Sequence, residues 1–297
     1  QPAPVTLTCP AKVNLALSVG RPNADGMHPI ASWMVAVEFC DLLTVEPAPG
    51  QDGISLQVQY SSEAPLPQDI DWPMEDDLAY RAALRFAPSQ AVAMRVTKFI
   101  PTGAGLGGGS SNAAAALAAL SRLEPQRYSD DELLDMAGEL GSDVPYLLRA
   151  IGGTNSAVVT GLGEQIEPAP AAGPIHLVLA LPGFACPTGP VYGMFDRMCP
   201  QAGEPDRVGV RHLAMHWPVL ADEPFNDLAE PACHAQPQLA AARDAILDAI
   251  DQPVHITGSG STLFVIAEST PHAHDLARRI TDRTEIIALP TRTLRSR

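Results

Sequence analysis

Five glycines fall within seven residues, Gly103-Ala104-Gly105-Leu106-Gly107-Gly108-Gly109, with no charge among them. The run follows a β-rich stretch, Val92 to Thr97. It leads through Ser110-Ser111-Asn112 into the strong helix former Ala113 to Leu120. Glycines let backbone N–H groups approach an anion closely, and the N-terminus of the next helix adds partial positive charge. A flexible linker would not end in so abrupt a Ser-Ser-Asn cap. Two familiar phosphate motifs fail here. Gly103-x-Gly105-x-x-Gly108 matches the dinucleotide pattern, but the βαβ unit with its acidic residue is missing, because Pro125 and a second helix follow. The P-loop needs a lysine before the serine, and Gly109 stands there. What remains is a glycine-built anion cradle without a lysine of its own.

The rest of the chain must house that cradle. Its 297 residues suit one large domain or two smaller ones, and 46% hydrophobic content excludes a largely disordered chain. A net charge of −15 argues against nucleic-acid or membrane-surface partners, which reward basic patches. An anionic substrate must therefore be attracted locally. Only two of the nineteen basic residues are lysine, Lys12 and Lys98. The five cysteines show no metal or redox spacing and read as reduced thiols. No basic-then-apolar leader pattern opens the sequence, and Ala113 to Leu120, the longest apolar run, is far too short to span a bilayer. A soluble, cytoplasmic protein is expected.

Short β-rich runs at 5–9, 13–17, 32–37, 42–45 and 54–58 precede a polar, Pro-rich loop at 61–75 and a helix over 77–86. After the cradle, Ser129 is placed to cap a helix over 130–140, and a short helix begins near Gly141-Ser142-Asp143-Val144-Pro145. Beyond residue 150, strands at 156–160, 176–181, 254–257, 262–267 and 284–289 mix with helices at 191–198, 237–250 and 271–282. That mixture predicts a second α+β half.

Pro101 to Ala114 closely resembles the ATP-binding signature of the galactokinase–homoserine kinase–mevalonate kinase (GHMP) superfamily. Pro10-Ala11-Lys12-Val13-Asn14-Leu15, Asp25-Gly26-Met27-His28, Leu140 to Pro145, Gly161-Leu162-Gly163-Glu164 and Thr257-Gly258-Ser259-Gly260 extend the likeness along most of the chain. They resemble the branch acting on a cytidine diphosphate–linked methylerythritol in non-mevalonate isoprenoid precursor synthesis. The resemblance implies a two-lobed α+β fold, with a ribosomal-protein-S5-like N-terminal lobe and a ferredoxin-like C-terminal lobe. The expected division is an ATP-binding domain at 1–160 and a C-terminal domain at 161–297. It implies ATP with Mg²⁺ as co-substrate, and no dedicated metal ligands stand out in the sequence.

Phosphoryl transfer needs a triphosphate cradle, a positioned hydroxyl and fixed positive charge. By resemblance, Asp143 takes the proton from the substrate hydroxyl; as a plain residue it reads equally as a helix N-cap. Lys12 is its expected partner, a compact ammonium for the carboxylate and the phosphoryl group. Asn14, two residues along a strand, shares the face of Lys12 and is expected to bind the substrate. ATP contacts are expected from Lys98, Pro101, Gly103, Gly105, Leu106, Gly107, Gly108, Gly109, Ser110, Ser111, Asn112 and Asp77. His28 lies in the loop that reads the cytosine edge in the family. Thr188 and Tyr192 form a second substrate wall, and Gly258 and Gly260 a turn lining the site.

Two residues depart from the family pattern. Met27 replaces the usual aromatic before the loop histidine, and Asp77 replaces an asparagine that helps hold the adenine; an aspartate accepts hydrogen bonds but cannot donate them. Both bear on nucleotide selectivity. Met27 leaves open a sister kinase with a homoserine- or mevalonate-type alcohol. A catalytically silent nucleotide-binding paralogue would show a damaged catalytic pair, whereas Lys12 and Asp143 are both present.

Overall fold

The computed structural model describes residues 3–50, 52–170, 173–218 and 224–295. By packing, the chain divides into two compact units that are discontinuous in sequence. The first comprises 1–11, 39–102 and 107–154; the second, 12–38, 103–106 and 155–297. Two long neighbouring strands, β1 (Val5–Val19) and β2 (Ile30–Pro47), contribute residues to both. The domain division expected from sequence, at residue 160, is continuous in the chain, whereas these packing units are not.

In the first unit, β4 (Val92–Lys98) pairs antiparallel with the end of β2 and parallel with β3 (Ile54–Tyr60). Its burial alternates with its side-chain period, Val92, Met94, Val96 and Lys98 pointing inward. Four helices complete the unit: α1 (Leu78–Phe86), α2 (Gly108–Leu123), α3 (Asp130–Leu140) and α4 (Val144–Ile151). Helix α2 is buried almost all round, and its alanines allow close approach of α1, whose Ala79, Ala82, Ala83 and Phe86 form the buried face.

The second unit holds the remainder of β1 and β2. There β2 pairs antiparallel with β5 (Ser156–Gly161), which hairpins with β6 (Gln165–Pro168), while β1 runs parallel to β8 (Phe225–Asn226). A separate antiparallel sheet has the order β11-β7-β10-β9, formed by β7 (His176–Leu181), β9 (His255–Ile256), β10 (Leu263–Ala267) and β11 (Ile287–Arg292). Helix α9 (Thr270–Thr284) packs on β7, β10 and β11 and against α8 (Pro237–Ile250). Helices α5 (Thr188–Met198), α6 (Arg207–His216) and α7 (Ala229–Ala235) complete the unit.

The α+β class is as expected, and α3, α8 and β7 fall on the predicted spans. Helix α3 is closed by a capping box in which the Ser129 hydroxyl accepts from Glu132 N–H. The differences have physical causes. β1 and β2 are each one strand where two short ones were predicted. Pro10 does not interrupt β1, and Asp41, which lies between the two runs predicted at 32–37 and 42–45, is wholly buried on β2 with its hydrogen-bonding needs met internally. Helix α2 starts five residues before Ala113, inside the glycine run. β11 lies three residues later than predicted because α9 extends through Thr284. Its Pro290 is tolerated because β11 is an edge strand. β6, α6, β8 and α7 were not predicted.

Candidate active site

In the first unit, the cradle ends at Gly107, the N-cap of α2, which holds φ 70° and makes no side-chain cap. The N–H groups of Gly108, Gly109 and Ser110 therefore open a sixteen-residue helix with no side-chain cap from Gly107, the arrangement that suits a phosphate. Ser111 is buried in the first turn, and its Oγ finds no hydrogen-bond partner among the described residues.

Beneath this turn lies Lys98, only 4% exposed. Its ammonium donates to Asp41 Oδ2 at 2.7 Å and to Asn112 Oδ1 at 3.2 Å. Asp41 also accepts from the backbone of Phe99 and Ile100 and from Asn112 Nδ2. A Cβ on Gly108 would lie 3.7 Å from the Lys98 ammonium. Lys98 is thus no solvated strand-end lysine; it clamps strand, loop entrance and helix start together. The neighbouring Cys9 thiol is pushed up by burial, with the Asp41 charge adding to it. Asp77 caps α1 by accepting from Ala79 and Tyr80 N–H, while its second oxygen accepts from the Trp72 indole at 3.1 Å. Asp143 occupies the N-cap position of α4 yet makes no side-chain cap. The purely capping reading of that aspartate therefore fails. Burial pushes the adjacent Tyr146 hydroxyl well up, and the Asp143 charge adds to the effect.

In the second unit, Lys12 is 5% exposed and donates to Asn14 Oδ1 at 2.7 Å. Asn14 Nδ2 donates to Ser32 Oγ, which donates to the carbonyl of Ala16. Thr257 Oγ1 accepts from Asn14 N–H and donates to Asn14 Oδ1, so the amide orientation is fixed from several sides. The 257–260 turn closes over this network. Gly258 has φ 58°, and a Cβ there would stand 3.3 Å from both Lys12 Nζ and Asn14 Oδ1. Gly105 is tighter still, since a Cβ on it would collide with the carbonyl of Gly260. The early part of the glycine run is therefore bound to the 257–260 turn, with Thr262 N–H and Oγ1 donating to the Ala104 carbonyl.

Helix α5 joins this turn to the loop before β2. Thr188, Tyr192 and Asp196 recur every four residues and share one face. Thr188 Oγ1 and Ser259 Oγ are hydrogen-bonded at 3.2 Å. The Tyr192 ring lies 4.8 Å from the His28 ring, and His28 Nε2 is 2.9 Å from Asp196 Oδ1. Met27 is exposed. Lys12, Asn14, Gly105, Gly258, Gly260, Thr188, Tyr192 and His28 thus belong to one connected group in the second unit. Lys98, Asp77, Gly107 to Asn112 and Asp143 belong to the first.

A family model, the GHMP kinases N terminal domain, matches residues 77–150. The 4-diphosphocytidyl-2-C-methyl-D-erythritol kinase of Thermobifida fusca (strain YX) is 38% identical over 93% of this chain and 91% of its own length. The chain belongs to this family of GHMP kinases. A kinase of the same name from Caulobacter vibrioides (strain NA1000 / CB15N) is 34% identical, over 91% of this chain and 92% of its own. A crystal structure of 4-(cytidine 5'-diphospho)-2C-methyl-D-erythritol kinase superposes with a TM-score of 0.74 at 31% identity, covering 98% of this chain and all of that one. As a GHMP kinase the protein is a small-molecule phosphotransferase that uses ATP. Among the described residues no helix is long and apolar enough to cross a membrane, and no three His, Cys, Asp or Glu side chains are grouped to hold a metal ion.

Sequence reasoning missed Asp41, Asn226 and Asp196. Asn226 Nδ2 donates to the carbonyls of Ile256 and Gly258, both at 2.8 Å, and so holds the turn beside Lys12. Only Asp196 left a trace in the sequence, through its four-residue spacing from Tyr192 on a predicted helix.

Proposed function

We propose that this kinase transfers the γ-phosphoryl group of ATP to the 2-hydroxyl of 4-diphosphocytidyl-2-C-methyl-D-erythritol. The observation that carries the reading is the buried Lys12–Asn14–Thr257 network beside the Cβ-free Gly258, in the same unit as the His28–Tyr192 pair. The Lys12 ammonium donates to the Asn14 amide, and the missing Cβ of Gly258 leaves room beside it for a ligand. In this reading Asp143 takes the hydroxyl proton, and Lys12 stabilises the negative charge that develops on the transferring group. The uncapped start of α2 receives the phosphates, with the Ser111 hydroxyl as a further donor. Asn14 orients the hydroxyl, while His28 and Tyr192 hold the cytosine.

Mg²⁺ enters as part of the MgATP substrate, carried by the phosphates rather than by a protein cluster. The division into an N-terminal ATP-binding domain at 1–160 and a C-terminal GHMP kinase domain at 161–297 is part of the same proposal, as is a cytoplasmic location. The test is ATP consumption with the cytidine diphosphate–linked alcohol, compared with homoserine and mevalonate. The expected result is turnover with the first alone. Asp143→Asn should lower kcat by about 10²–10⁴ with little change in KM. Undiminished turnover in that variant removes Asp143 from the base role.

A further inference from the structure

The His28–Asp196 bond carries an inference about base selectivity, resting on the cytidine-linked substrate proposed above. The His28 side chain is only 8% exposed, held by Tyr192 at 4.8 Å and by the edge of Phe195 at 6.0 Å between ring centroids. Phe195 is itself buried. The ring therefore cannot turn freely. Its Nε2 lies 2.9 Å from Asp196 Oδ1, and a carboxylate oxygen can only accept. In a neutral imidazole, the hydrogen bond made by one nitrogen decides which nitrogen carries the proton. Nδ1 has no hydrogen bond among the described residues, and it is not one of the buried polar atoms lacking a partner, so it keeps access to solvent.

We infer that Asp196 is a positioning residue that keeps the His28 proton on Nε2 and so presents Nδ1 as an acceptor, selecting a base with an exocyclic amine. Cytosine offers an N–H donor at its 4-position; uracil offers a carbonyl oxygen there, which would face the imidazole lone pair. A site built to accept one hydrogen bond rejects the analogue that presents a second acceptor, because both groups are left unpaired. The exposed carboxylate of Asp196 touches no reacting atom and acts only through the ring. As a mere surface ion pair it would be worth little. What distinguishes it is the immobilised ring on which it acts.

Two measurements test the inference. Long-range ¹H–¹⁵N spectra of the labelled protein, with the His28 signals assigned by comparison with His28→Gln, report the tautomer directly. The expected wild-type spectrum has Nε2 protonated and Nδ1 bare, and Asp196→Ala gives a mixture. Calorimetric titration with CDP and with UDP then gives the base preference. The wild type favours CDP, and Asp196→Ala reduces that preference by about tenfold, the effect of one net hydrogen bond, chiefly by weakening CDP. Asp196→Asn, whose amide oxygen still accepts from Nε2–H, retains most of it. A wild-type proton on Nδ1, or an unchanged CDP-to-UDP ratio in Asp196→Ala, overturns the inference while CDP binding itself stands. A wild type that binds neither nucleotide overturns the cytidine reading and the selectivity role with it.

Discussion

Lys12 and Lys98 are buried to the same degree, yet they sit in different surroundings. Lys98 is held in the first unit by a buried carboxylate and an amide, and Asp41 in turn satisfies two backbone N–H groups. Lys12, in the second unit, donates to the Asn14 amide and lies beside Gly258, where a Cβ would stand 3.3 Å from its Nζ. The same residue type at similar burial thus serves architecture in one place and is suited to chemistry in the other. The chain uses arginine in its surface ion pairs, such as Arg85–Glu139 and Arg292–Glu38. A planar fork would not fit either compact lysine site.

Breaking the Lys98 cluster should give the largest effect on stability. Lys98→Met leaves Asp41 buried and unpaired, and is expected to cost about 3–5 kcal/mol, read as a fall in the urea midpoint. The double change Lys98→Met with Asp41→Asn should recover part of that loss. A single variant as stable as the wild type would refute the architectural role. Lys12→Met sharpens the contrast, since it should lower kcat by about 10²–10³ while the urea midpoint hardly moves. Equal losses of stability in the two lysine variants would erase the distinction.

Acid should reach the Lys12 side through β9, which leads directly into the 257–260 turn. Burial lowers the pKa of His255 from 6.5 to about 4. The folded state therefore resists a proton that the unfolded chain takes up. The stability is complete above about pH 6.5 and is lost as pH falls from there towards 4, by at most about 3–4 kcal/mol. His255→Phe, which preserves the apolar contact with Phe264, should flatten stability between pH 6.5 and 4. A pH profile identical to the wild type would count against the account.

Gly258→Ala should have the smallest effect, about 1–2 kcal/mol of strain from a positive φ, together with a kcat reduced by crowding of the Lys12 ammonium. An unchanged kcat would show that the turn does not govern that space.

Much of this molecule was legible locally. The glycine run predicted an anion-suited helix start, Ser129 predicted a capped start for α3, and the spacing of Lys12 and Asn14 placed both on one strand face. The expected Ser110-Ser111-Asn112 cap, by contrast, lies inside α2, behind the uncapped Gly107. Helix boundaries failed where composition misled, as at α2, whose first residues are glycines that free peptides would not hold in a helix. The short runs at 5–9, 13–17, 32–37 and 42–45 join into the two long strands β1 and β2, because Pro10 and Asp41, which lie between them, are accommodated by their surroundings.

The sequence by itself determined the glycine cradle, the α+β character and the family, because these depend on short-range spacing and backbone freedom. Tertiary structure decided which lysine serves as a clamp, that Asp143 does not cap its helix, and that Asp196 meets His28 across 168 residues of chain. Such pairings depend on burial and on which distant donor meets which acceptor. No local periodicity encodes that.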